Sequence, residues 1–199
     1  MLKKFAIVLF CGFLAINSHA QNFGGGLIAG ISTSQVSGDQ LGGFNKVGFL
    51  VGAFTNTSIS QLLSLQMEMT YIEKGSNNPK MNKNQIQDIS LSYIEVPISV
   101  NYYQTEMTSF EVGIQTAFLL NFSDNDLYGP IPSNQSIPFN KFDLGAFIGM
   151  SHDLTDKIQL NSRISNSIFP VRPHASGITY QLNRGQYNSV LSFTLHYIL

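Results

Sequence analysis

The chain has 199 residues, of which only 12% are charged and 12% aromatic, and its eleven basic and twelve acidic residues nearly cancel. The acids and bases are scattered, with no basic stripe for a polyanion, which excludes nucleic acid as a partner. The single cysteine, Cys11, excludes an internal disulfide framework and a cysteine zinc site.

Residues 1–20 read as a secretory leader. Lys3 and Lys4 precede an apolar run from Phe5 to Ile16, and Ser18-His19-Ala20 supplies the small residues that a signal peptidase requires. The run is too short to span a bilayer. Cleavage before Gln21 is expected, leaving residues 21–199 as one domain without cysteine and with nine basic against twelve acidic residues.

From there the chain shows almost no helical periodicity. Apolar and polar residues alternate in eight segments of about ten residues or slightly more, bounded by Gly, Asn, Ser, Asp and Pro clusters. The first two, 23–35 and 46–56, are glycine-rich and leave their facing open. The third sets Leu63, Leu65, Met67, Met69 and Tyr71 against Ser64, Gln66, Glu68, Thr70 and Lys74. The fourth opposes Ile94, Val96, Ile98, Val100 and Tyr102 to Tyr93, Glu95, Pro97, Ser99 and Asn101. In the fifth, Phe110, Val112, Ile114, Phe118 and Leu120 face away from Glu111, Gly113, Gln115 and Ala117. The sixth alternates Phe142, Leu144, Ala146, Ile148 and Met150 with Asp143, Gly145, Gly149 and Ser151. The seventh separates Ile158, Leu160 and Ile164 from Gln159, Asn161, Arg163, Ser165 and Ser167. The eighth separates Leu191, Phe193, Leu195, Tyr197 and Leu199 from Ser192, Thr194 and His196.

A soluble sandwich also alternates, but its polar face is usually rich in Lys, Glu and Asp. Here that face is mostly Ser, Thr, Asn, Gln and Gly, which suits an enclosed polar interior. In lipid every backbone polar group must be paired within the protein, so a sheet must close on itself. The links alternate between long (37–45, 76–87, 122–139, 170–186) and short (57–61, 105–108, 153–156). That is the pattern of outer loops and periplasmic turns. The expected fold is all-β, an eight-stranded antiparallel up-and-down transmembrane barrel in an outer membrane. Outer-membrane lipid is its surroundings and the barrel-assembly machinery its partner during insertion.

Several pieces carry a resemblance: Gly30 to Ser34, Lys46-x-Gly48-Phe49-x-x-Gly52, Gln66-x-Glu68-x-x-Tyr71-x-x-Lys74-Gly75, Tyr93-Ile94-Glu95-Val96-Pro97, and Arg163. Together the chain resembles the PorT-like family of outer-membrane barrels, the OmpA/OmpX-shaped small barrels of Bacteroidetes. The resemblance implies a fold more than an activity, with a link to a secretion and gliding apparatus as an inherited possibility. The C-terminus departs from it, since barrels of this kind often end in an aromatic and this one ends Tyr197-Ile198-Leu199.

Within the expected lumen, a loop centred near 81–82 would set Glu68 directly opposite Glu95, and two like charges so placed repel. Arg163 is the natural counter-ion. The expected lumenal cluster is Glu68, Glu95 and Arg163, extended by Glu111, Asp143, Gln66 and Gln115. It reads either as a salt-bridged plug that sets register or as a gated proton or ion path. The plug is favoured because eight strands leave an interior only just wide enough for side chains. Pro97 lacks a ladder donor and is expected at a bulge or register break.

The histidines do not assemble a catalytic set by sequence. His152 stands beside Asp153 and Asp156, His174 near Ser176, and His196 in the last segment. The glycines precede no phosphate-loop pattern. No cofactor, metal or catalytic residue is assigned. The expected role is structural or partner-binding, with an envelope protein as a possible partner; a narrow pore is the alternative, and a lipid-modifying enzyme a third reading. Loop contacts would come from Tyr128, Phe139, Arg172, His174, Tyr180 and Arg184, and interfacial belts from Tyr71, Phe118, Phe142 and Tyr197.

Overall fold

The computed structural model describes residues 23–38, 43–77, 88–126, 129–131, 137–174 and 185–199. The expected leader and the candidate contacts Tyr128, Tyr180 and Arg184 lie outside them. Every element among the described residues is a strand: β1 (Phe23–Ser37), β2 (Lys46–Ser58), β3 (Leu63–Asn77), β4 (Asp88–Tyr103), β5 (Thr108–Asp126), a two-residue β6 (Gly129–Pro130), β7 (Phe142–Thr155), β8 (Ile158–Ser167) and β9 (Tyr187–Ile198). The eight long strands coincide with the eight alternating segments. Several run past the nine to eleven residues that hydrocarbon requires, β5 reaching 19.

Neighbours in sequence pair antiparallel, β4 pairs β5, and β1 pairs β9, so the ring closes as β1-β2-β3-β4-β5-β7-β8-β9. The small β6 only extends the outer end of β5. Stepping from partner to partner around the ring leads from Gly24 through Asn56, Gln66, Ser99, Gly113, Phe147, Ser165 and Val190 to Ser34, ten residues beyond the start. With ordinary strand spacings, that stagger tilts the strands by roughly 40° to the barrel axis.

Closure decides what alternation means. Val51, Met69, Phe118, Leu120, Ile148 and Leu195 face out and are exposed, while Gln66, Glu68, Ser99, Glu111, Asn161 and Thr194 face in and are buried. In β1 and β2, whose facing the sequence left open, the even-numbered residues point inward. Aromatic pairs mark the outer surface, with Phe118 edge-on to Phe142 at 5.5 Å and Phe49 tilted against Tyr71 at 5.6 Å.

Two expectations about register are corrected. Glu68 does not face Glu95. The β3–β4 ladder pairs Glu95 with Thr70, and its register places Glu68 level with Pro97, two residues away. Pro97 marks no bulge, since the register is the same on both sides of it in the β3–β4 and β4–β5 ladders. The β3–β4 pairing merely skips a step beside it, where proline has no N–H to give. The β4–β5 irregularity falls between Ser92 and Tyr93 instead. Above that point the interior turns apolar: Val36, Ile89, Leu91 and Tyr93 pack with Phe139 and Val171 under the long-loop end.

Candidate functional site

The lumen is crossed by ion pairs. β3 and β8 lie four strands apart in either direction around the ring, so they face each other across its full width. Arg163 on β8 spans that width. Its Nη1 and Nη2 donate to Glu68 Oε2 and Oε1 at 3.0 and 2.6 Å. Its Nε and Nη2 donate to Glu111 Oε1 and Oε2 on β5 at 2.7 and 2.9 Å. One planar guanidinium thus makes two bidentate contacts, a geometry that a lysine ammonium does not offer.

Gly149 makes the second contact possible. It sits on β7 between Arg163 and Glu111, paired in register with both. A side chain there would run into the Glu111 carboxylate and the Ser162 backbone. The underside of the guanidinium rests on the Phe147 ring, 4.2 Å from its centroid. Gln66 Nε2 donates to Glu68 at 2.8 Å and Asn161 Nδ2 to Glu111 at 3.0 Å, satisfying further carboxylate lone pairs.

Two more cations repeat the pattern higher up. Lys74 forms a buried ion pair with Glu95, and its ammonium lies over the Tyr93 ring at 5.1 Å. Arg172 pairs with Asp124 at 2.7 Å, donates to Gln186 at 2.5 Å and stacks on Phe139 at 4.2 Å. Each buried cation therefore has both a carboxylate and an aromatic face, which together offset desolvation better than either alone. A second tie crosses the barrel between opposite strands, Asn188 of β9 donating to the Tyr93 hydroxyl of β4 at 3.4 Å.

The structure thus joins Glu68, Glu111 and Arg163, and separates Glu95 and Asp143 from them. Glu95 takes Lys74 and accepts from Gln115 at 3.3 Å, while Asp143 accepts from Ser167 and Asn188, both at 2.9 Å. Lys74 is legible as a polar-face residue, but only register shows that it sits four pairs beyond the Thr70–Glu95 pair on the same inward face, within reach of Glu95.

Phe139 and Arg172, expected as loop contacts, are corrected to buried residues, each about 5% exposed. They are held inward because the described ends of the 170–186 link pair with each other, Arg172 and Gln186 forming a bridge, and Asn140 donates its backbone N–H to Val171 beside them. His152 is at the short-turn end, bonded to Thr108 at 3.0 Å, whereas His196 lies deep in the lumen beside Thr194 and Phe54. His174 is at the long-loop end, so the three do not share a site. Among the described residues, no group of three or more His, Cys, Asp or Glu is placed to hold a metal ion.

A closed antiparallel ring of eight strands, apolar outside and braced by ion pairs inside, defines a small transmembrane β-barrel of the outer-membrane type. The chain belongs to the family described as outer membrane protein beta-barrel domain, whose model matches residues 5–171. Among solved structures it is similar to Ail, the attachment invasion locus protein of Yersinia pestis, at 11% identity and a TM-score of 0.53, covering 88% of this chain and 98% of that one. It is also similar to Neisserial surface protein A, at 16% identity and a TM-score of 0.52, covering 88% and 96%. At these identities the likeness is one of fold. No curated protein matches the chain.

Proposed function

We propose that this protein is a non-enzymatic outer-membrane barrel that acts as a structural or partner-binding component of the envelope, exported by its N-terminal leader and PorT-like in kind. The observation that carries this reading is the Arg163 brace. A side chain that ties opposite walls together with four charge-assisted hydrogen bonds occupies the cross-section a solute would need. A rigid, filled barrel leaves recognition to the long loops at one end and to the lipid-facing wall. Ail, named for attachment and invasion, supports such a role as one this fold serves. An envelope or secretion machine is the partner class in view. The test is crosslinking in cells with a tag placed within 132–136, followed by mass spectrometry. A stoichiometric envelope protein is the expected result. A clean monomer that conducts ions in a planar bilayer would replace this reading with the narrow-pore one.

A further inference from the structure

Eight charged side chains are buried among the described residues: the acids Glu68, Glu95, Glu111, Asp124 and Asp143, and the bases Lys74, Arg163 and Arg172. The three bases take four of the five acids, since Glu68 and Glu111 share Arg163. Asp143 on β7 is left without an ion-pair partner among the described residues. One oxygen, Oδ2, accepts from Ser167 Oγ and Asn188 Nδ2; the other, Oδ1, is buried with no hydrogen-bond partner. Asn188, 2% exposed, has its own Oδ1 in the same condition, although its amide nitrogen lies against the carboxylate and reaches the Tyr93 hydroxyl. A buried carboxylate without a counter-charge is strongly unfavourable. Two buried acceptors without donors, in one network, can be satisfied by a bound cation.

We propose that Asp143 and Asn188 bind a monovalent cation of sodium size through their Oδ1 atoms, with the Ser167 and Tyr93 hydroxyls completing a box of oxygens. The four proposed ligand atoms are all oxygens, which suits a hard cation rather than a transition metal. One carboxylate balances one positive charge. A divalent ion would bring a second charge toward the ammonium of Lys74, which lies 5.1 Å from the centroid of the same Tyr93 ring. The ion completes the ionic neutralisation of the upper lumen, where the charged groups facing the box are Lys74 and Glu95. The inference is independent of the proposed loop-borne function.

The full mature barrel, folded in detergent, is heated in sodium chloride and in N-methylglucamine chloride at equal ionic strength, and loss of the folded gel band is followed. Sodium is expected to raise the wild-type midpoint by on the order of 5 °C near saturation. Asp143→Asn, an isosteric change, is expected to fold and to lose that sodium-specific rise. Identical wild-type midpoints in the two salts, or a D143N barrel that keeps the rise, would overturn the proposal. Sodium-23 NMR needs no variant: saturable line broadening by the wild-type barrel supports the site, and its absence refutes it.

Discussion

Replacing Arg163 by leucine removes four charge-assisted hydrogen bonds and strands Glu68 and Glu111 in the lumen without a counter-ion. Breaking a buried pair from one side costs about 3–5 kcal/mol, mostly because an unpaired charge stays behind. Here two carboxylates are left rather than one, so the upper end of that range is expected. For a domain of this size, about 4–5 kcal/mol lowers the unfolding midpoint by on the order of 10–20 °C. The assay is the temperature at which the compact, heat-modifiable gel band disappears. The decisive companion is a triple variant, R163L with E68L and E111L. If the cost arises from unpaired charge, removing the carboxylates as well recovers most of the loss, because a well-packed apolar replacement of a buried ion network is often neutral or better. A single variant that melts with wild type, or a triple no more stable than the single, would refute the reasoning.

Lys74→Met leaves Glu95 buried beside Thr70 and Gln115, and a loss of about 3 kcal/mol is expected, read from urea midpoints in detergent. Val112→Arg puts a charge on the outward face in register with Val100 of β4 and Ile148 of β7, and the cost near the middle of the bilayer is about 2–4 kcal/mol in a vesicle-folding titration. Arg172→Gln breaks the pair with Asp124 under the long-loop end. The strands below are untouched, so the barrel still shifts on gels while limited proteolysis becomes faster within 137–140 and 170–174. Gly149→Leu drives a side chain into the Glu111 carboxylate and should reproduce much of the R163L defect, measured by the same band-loss assay.

The extent to which the lumen was readable differs from residue to residue. Glu68, Glu111 and Arg163 were assigned to the interior from alternation alone, and they meet there. Phe139 and Arg172 lie in irregular segments where no period exists, and local sequence carries no signal for the backbone pairing of Asn140 with Val171 and of Arg172 with Gln186. The bulge between Ser92 and Tyr93 was invisible for a related reason: neither residue is a glycine or proline, whereas Pro97, which advertised one, fits a ladder that needs no N–H at that step.

What the sequence determined by itself was closure, and facing in every long strand but the glycine-rich β1 and β2. A side-chain period of two assigns each residue to one wall of the sheet, and a polar face poor in charge implied that this wall was enclosed. What only the tertiary structure decided was height. Sliding one strand past its neighbour by two residues leaves every side chain on its own face, so alternation cannot distinguish Glu68 opposite Glu95 from Glu95 opposite Thr70. That slide separates the two acids, gives Glu95 to Lys74 and leaves Glu68 to Arg163. Closure around the whole ring, with its ten-residue stagger, then brings β8 face to face with β3 and lets one arginine hold both walls.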